Sequence, residues 1–270
     1  MIIDDQTASK YMSIAIGAAR IAGAEALSQM DSIQCHMKNG DEVVTQADPI
    51  CQNLIIEYIA RKYPEHGILA EEGEDGRLFK KKPDCDEDIW WIIDPIDGTN
   101  NYCHRVLNFS VSIGLFKDGM PLLGVIYIPA SDTIFTGIVG KGSTCNSMEI
   151  FCGKEGVNNR ESIAIDSYWD NGIPDKLMRL IDESRLRNFG STAMHLAYVS
   201  MGGFVGVVVN RNKLWDLAAG AAILYAAGGK ITTHQNEEIL PIDVGSYEGE
   251  KLRYLAANPV AHKELLESLN

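Results

Sequence analysis

Trp90–Tyr102 reads WWIIDPIDGTNNY. Its four leading apolar residues, Trp90, Trp91, Ile92 and Ile93, predict a short buried strand. Pro95 has no amide to give to a sheet ladder, so the strand is expected to end at Asp94. Gly98 permits backbone angles that other residues avoid. A turn there would gather Asp94, the carbonyl of Ile96 and Asp97 round one point, with the amides of Gly98 and Thr99 left free. Several hard oxygens beside free amides suit a divalent cation and a phosphate. A bare D-x-x-D-G is far more often an ordinary strand-to-turn with two solvated carboxylates, so the wider sequence has to decide.

The longer string does decide. Asp94-Pro95-Ile96-Asp97-Gly98-Thr99-Asn100-Asn101-Tyr102 resembles the first motif of the inositol monophosphatase family of metal-dependent phosphomonoesterases. Trp215-Asp216-Leu217-Ala218-Ala219-Gly220 resembles its second motif, and Glu71-Glu72 stands where the family places its glutamate ligand. The three matches come in the family's order and span most of the chain. The resemblance implies an α/β (mixed α+β) fold layered αβαβα. An N-terminal α+β half, residues 1–141, would carry Glu71 and the DPIDGT motif, and a C-terminal α/β half, residues 142–270, would carry the WD motif. The site should lie between them.

The same resemblance implies two or three Mg2+ ions per site. Glu71, Asp94 and the carbonyl of Ile96 would hold the first, and Asp94, Asp97 and Asp216 the second. Val44-Thr45-Gln46-Ala47-Asp48 resembles the family's V-T-x-x-D, whose aspartate holds metal-bound water. Read locally, Asp48 before Pro49 is a helix N-cap with proline at the first helical position. Thr99, Glu71 and Asp48 would orient the attacking water, and the amides of Gly98 and Thr99 would receive the phosphate. Gly190-Ser191-Thr192-Ala193 reads locally as a helix start capped by Ser191 or Thr192, and in the family this turn lines the substrate pocket. Asp216 likewise reads as the cap of a helix Leu217–Ala227 and, by resemblance, as a metal ligand that also faces the substrate. Nothing is placed to form a phosphoenzyme, so direct hydrolysis is expected, with magnesium required, calcium inhibitory and lithium sensitivity shared with the family. Many relatives are dimers, so a homodimer is expected.

Composition is that of a soluble globular protein. The 270 residues are 46% hydrophobic and 23% charged, within the globular range. A formal net charge of -13 argues against nucleic acid and anionic membranes as partners. The six cysteines show no C-x-x-C spacing, so reduced thiols in a cytoplasmic protein are the simplest reading. No signal peptide is recognisable, and no stretch approaches the ~20 apolar residues of a membrane span.

Along the chain, Thr7 to about Met30 predicts a first helix, and Lys38–Asp48 a polar hairpin turning at Asn39-Gly40. Ile50, Leu54, Ile55, Tyr58 and Ile59 mark the buried face of a second helix. Gly67–Ala70 is a short strand delivering Glu71 and Glu72 to opposite faces. Gly73–Asp88 reads as a charged, solvated loop or lid. Ser110–Phe116, Leu122–Ile128 and Asp132–Val139 read as strands. Gly140-Lys141-Gly142-Ser143 lacks the spacing of a phosphate loop and is expected to be a plain turn. His104 reads as a surface or supporting histidine. Beyond it, Glu161–Ile165, Leu186–Phe189 and Gly203–Val209 predict strands, with a helix over Pro174–Glu183.

Two departures leave the substrate open. Inositol-specific members carry a glutamate six residues before the tryptophan of the WD motif, a position filled here by Val209. Asn210-Arg211-Asn212-Lys213 is unusually basic for its place, and Arg211 with Lys213 would hold a second phosphate or a carboxylate; a solvated turn is the plain alternative. Met194-His195 also replaces an aliphatic residue followed by Asp, Asn or Glu. The substrate classes are inositol monophosphate or a related sugar phosphate, with 3'-phosphoadenosine 5'-phosphate, fructose 1,6-bisphosphate and histidinol phosphate as alternatives. A catalytically idle binding relative is the reading from another class.

Overall fold

The computed structural model describes residues 3–38, 42–169 and 172–269. The expected turn at Asn39-Gly40 lies outside them. The first half contains α1 (Asp5–Gln29), β1 (Cys35–Lys38), β2 (Glu42–Thr45), α2 (Ala47–Ala60), β3 (Gly67–Ala70), β4 (Phe79–Lys81), β5 (Ile89–Asp97) and α3 (Thr99–Cys103). A run of strands follows: β6 (Ser110–Lys117), β7 (Met120–Ile128), β8 (Thr133–Ile138), β9 (Gly142–Cys145) and β10 (Met148–Ile150). Then come β11 (Ser162–Ile165), α4 (Asp175–Asp182), β12 (Arg185–Arg187), α5 (Thr192–Ser200) and β13 (Gly206–Asn212). The chain closes with α6 (Leu214–Ala226), β14 (Lys230–Thr232), β15 (Leu252–Ala257) and α7 (Pro259–Leu269).

The strands form a β1-β2 hairpin and two larger sheets, ordered β10-β9-β8-β7-β6-β5-β3-β4 and β12-β11-β13-β15-β14. Alternation along β5 shows how the layers stack. Trp91 and Ile93 join the core under α1 and α2, whereas Trp90 and Ile92 join the core that holds α5 and α6. Both faces of the strand are buried, which is why its sequence runs apolar without a break. The second sheet alternates in the same way: Val207 and Val209 face α5 and α6, while Val208 faces α4 and α7. The result is the expected αβαβα order. Helix α6 lies close on the large sheet because small residues meet there; a Cβ on Gly114 would stand 2.8 Å from that of Ala218.

Several local expectations are corrected. Strand β5 does not stop at Asp94 but resumes to Asp97, with one extra residue between the pairs Asp94↔Ser112 and Asp97↔Ser110. Pro95 falls in this bulge, where the ladder needs no amide. Within Gly73–Asp88, β4 pairs antiparallel with the edge of β3, and Lys80 binds Glu248 at 2.7 Å, so this segment is anchored. Ile50 is exposed and Cys51 is buried in its place, while Ile55 and Ile59 lie on the buried face of α2 as expected. The large sheet continues through β9 and β10 to Ile150. Cys35 and Cys103 form a disulfide, with Cα atoms 6.0 Å apart, where reduced thiols were expected. The two cysteines stand 68 residues apart in sequence, and only the packing of the β1-β2 hairpin against α3 brings them together. No helix among the described residues is long and apolar enough to cross a membrane.

Candidate active site

The bulge in β5 builds the centre of the site. The amide of Ile96 donates to Asp94 Oδ1 at 3.0 Å, which folds the aspartate back over the turn. Gly98 follows at φ 93°, and any Cβ there would press on the carbonyls of Asn108 and Gly190 at 3.0 and 3.1 Å. Glycine is required because the turn combines a left-handed backbone with close packing. Helix α3 then starts at Thr99.

Asp97 points at the start of α5. Its carboxylate accepts the Ser191 hydroxyl, the Ala193 amide at 2.7 Å and the Thr192 amide at 3.3 Å. An acid at a helix N-terminus is favoured by the unpaired amides there. Ser191 also caps α5 through the Met194 amide at 3.2 Å, as expected. Ser191→Ala is therefore expected to cost about 1 kcal/mol, a drop of roughly 2–4 °C in Tm. It should also slow phosphate release about tenfold, because Asp97 loses a fixing partner. Thermal melts and steady-state kinetics check both, and wild-type values for each would refute the role.

Asp216 reaches the same point from α6. The sequence reading made it the cap, but the helix starts at Leu214, and Asp216 lies within its first turn, with Oδ2 accepting the Lys213 amide at 2.8 Å. Asp48 is corrected in the same sense. It sits inside α2, and its Oδ2 accepts the amide and hydroxyl of Thr45 at 2.8 and 2.6 Å. In both cases the carboxylate reaches back to satisfy amides ahead of the helix, leaving its outer oxygen for other work. Thr99 Oγ1 stands 2.9 Å from the Ile96 carbonyl and 3.3 Å from Asp48 Oδ1, which ties the expected water-orienting pair together.

Asp94, Asp97 and Asp216 offer oxygens that all lie within 4.8 Å of one another. Burial pushes Asp94 well above the carboxylate range, and Glu71, Asp97 and Asp216 add like-charge repulsion. Burial lifts Asp216 to about 7, with Asp97 adding to the shift. It lifts Asp97 to about 6 against the hydrogen bonds from α5, and Asp48 to about 6 against those from Thr45. Two buried carboxylates and the half-buried Asp216 that repel one another, with no imidazole or thiolate among them, fit a hard divalent cation such as magnesium.

Glu71 is not in this tight group. It lies at the end of β3, where its amide donates to the Ile93 carbonyl. Burial and Glu72 push it up while Lys38 pulls it down. Glu72 turns away and pairs with the buried Lys38 at 2.8 Å, while Gln52 pairs with its backbone. A cavity of about 250 Å³ joins Glu71, Gly98, Thr99, Gly190, Arg211, Lys213 and Asp216 in its walls. An adjoining one of about 420 Å³ is lined by Asp97, Ser191, Thr192 and Arg211. His104 is exposed. Val209 is buried in the second-sheet core, away from these cavities, so the ungapped count from the tryptophan does not reach the site. His195 is a buried neutral acceptor, its Nε2 2.8 Å from the Phe189 amide, and burial lowers its pKa to about 4.

Sequence reasoning missed Ser110, whose hydroxyl stands 3.3 Å from that of Ser191, and Asp166, Tyr168 and Lys251, which line the two cavities. None sits in a recognisable motif. Asp166 was signalled only by its place just past a strand.

A sequence profile described as the inositol monophosphatase family matches residues 7–270. The inositol-1-monophosphatase of Bacillus subtilis is 33% identical over 97% of this chain and 95% of that protein. The Nus factor SuhB of Pasteurella multocida is 35% identical over 82% of this chain and 84% of its own. The solved inositol monophosphatase from Anabaena (Nostoc) sp. PCC 7120 superposes with a TM-score of 0.77 at 32% identity, covering 97% of this chain and 95% of that one.

Proposed function

Because this chain belongs to the inositol monophosphatase family and is a phosphoric monoester hydrolase, we propose that it is a magnesium-dependent enzyme acting on a small phosphorylated metabolite. The substrate class is inositol monophosphate or a related sugar phosphate. The observation that carries this reading is the trio Asp94, Asp97 and Asp216, the first two buried and the third half-buried, with carboxylate oxygens within 4.8 Å of one another. That trio, with Glu71 and the carbonyl of Ile96, would hold the metal ions. Bound there, the ions would supply an activated water and neutralise charge on the phosphate oxygens.

The chain's own residues do the rest. Asp48 and Thr99 form a hydrogen-bonded pair beside Glu71, suited to fixing a water for attack. The amides of Gly98 and Thr99 at the start of α3 would receive the phosphate. Asp97, locked to α5, keeps the turn Gly190–Thr192 in register with the motif. A homodimer in the cytoplasm is part of the same reading.

The test is release of inorganic phosphate from inositol 1-phosphate and glucose 1-phosphate, with and without magnesium, with lithium as inhibitor. Magnesium-dependent release is expected, and none from either ester would favour the idle relative.

A further inference from the structure

The cleft beside the acidic cluster is basic, although the chain carries a formal net charge of -13. It encloses about 570 Å³, and Lys38, Arg77, Lys80, Arg211, Lys213 and Lys251 line it against the carboxylates Glu42, Glu71 and Glu248. Three of these cations are committed. Lys38 pairs with Glu72, Lys80 with Glu248, and Lys213 donates to the Gly249 carbonyl. Among the described residues, Arg77, Arg211 and Lys251 form no ion pair. Lys213, half of the pair expected from the sequence, is thus already engaged.

The backbone aims Arg211 into this space. Strand β13 shifts register against β15 between Val209 and Asn212. Asp166 Oδ2 accepts the two amides at the shift, Asn210 at 3.3 Å and Arg211 at 2.9 Å. A bulge pinned in this way re-aims its side chains. The guanidinium rests 5.7 Å from the centre of the Tyr168 ring, which fixes its plane without neutralising it. Arg211 and Lys251 line both the basic cleft and the cavity whose walls include Glu71, Gly98, Thr99 and Asp216. A molecule whose ester lies at the acidic cluster therefore presents its far end to them.

We propose that the preferred substrate carries a second phosphate, bound by Arg211 and Lys251 in this cleft while the scissile phosphate occupies the acidic site. The inference rests on the phosphomonoesterase reading above. A guanidinium offers a planar fork to phosphate oxygens, and a lysine adds a mobile point charge.

Matched probes test it: inositol 1-phosphate against inositol 1,4-bisphosphate, and fructose 1-phosphate against fructose 1,6-bisphosphate. In at least one pair the bisphosphate should show a KM about tenfold lower, an advantage that shrinks as salt rises. Arg211→Ala and Lys251→Ala should each bring that KM ratio close to one, while Lys263→Ala, on the exposed side of α7, should keep it. Calorimetry with calcium in place of magnesium reads the same ratio as affinity, without turnover. Magnesium-dependent release with equal KM values in both pairs overturns this inference and leaves the phosphatase reading standing. Tighter bisphosphate binding that is lost in Arg211→Ala, with no hydrolysis of any ester, supports the cleft and overturns the phosphatase reading.

Discussion

Asp94→Asn is expected to lower phosphate release by on the order of a thousandfold, about 4 kcal/mol at the transition state, while raising the Tm of the metal-free protein. The two effects share one cause. Asp94 is buried among Glu71, Asp97 and Asp216, so its charge is useful only when a cation neutralises the group. Asparagine keeps the shape and the Oδ1 that accepts the Ile96 amide, so the bulge should survive. Its amide can donate to the neighbouring Asp216 carboxylate, which removes one of the like charges. Relief of repulsion worth about 2 kcal/mol corresponds to a Tm gain of roughly 4–8 °C. Added magnesium should then stabilise the wild type far more than the variant. A variant that keeps half its activity, or that melts below the wild type in chelator, would contradict this account.

Chelation should expose the same repulsion as a pH dependence. The folded-state values of Asp97 and Asp48, about 6, and of Asp216, about 7, lie above the ordinary carboxylate range. The folded protein therefore holds protons that the unfolded chain has released. Their stabilising contribution is fully present below about pH 4 and is lost as pH rises through 6 to 7. In chelator, Tm should fall between pH 5 and pH 8. Magnesium competes with those protons, so the Tm gain it brings should be larger at pH 8 than at pH 5. At about a hundred times the dissociation constant the gain is worth roughly 2.7 kcal/mol, or about 5–11 °C. Activity with magnesium should rise over the same interval. Chelated protein equally stable at pH 5 and pH 8, or a magnesium shift independent of pH, would mean that the carboxylates are not the coupled group described.

How the candidate site is legible differs from residue to residue. Asp94, Asp97, Gly98 and Thr99 lie within a few positions of one another, and their chemistry follows from strand, proline and glycine in direct succession. Asp216 and Glu71 were found through resemblance, because nothing local distinguishes them from a helix start and a strand end. The same local rules misplaced Pro95, Asp48 and Asp216 by a residue or more. Pro95 sits in a bulge where the ladder needs no amide, and Asp48 and Asp216 each accept an amide from ahead of their helix, which places them inside it.

By itself the sequence determined the apolar run of β5, the left-handed turn at Gly98, a helix cap at Ser191 or Thr192 and the order of the acidic residues along the chain. These depend on steric limits and hydrogen bonds within a few residues, so they are written in any short window. Only the tertiary structure decided that Asp97 seals the start of α5, that Cys35 meets Cys103, and that Arg211 and Lys251 line one cleft with no ion pair among the described residues while Lys213 donates to the Gly249 carbonyl. The disulfide comes from the β1-β2 hairpin packing against α3, and the other pairings from two sheets packing on the shared helices α5 and α6. They depend on distances between layers, which no local stretch of sequence encodes.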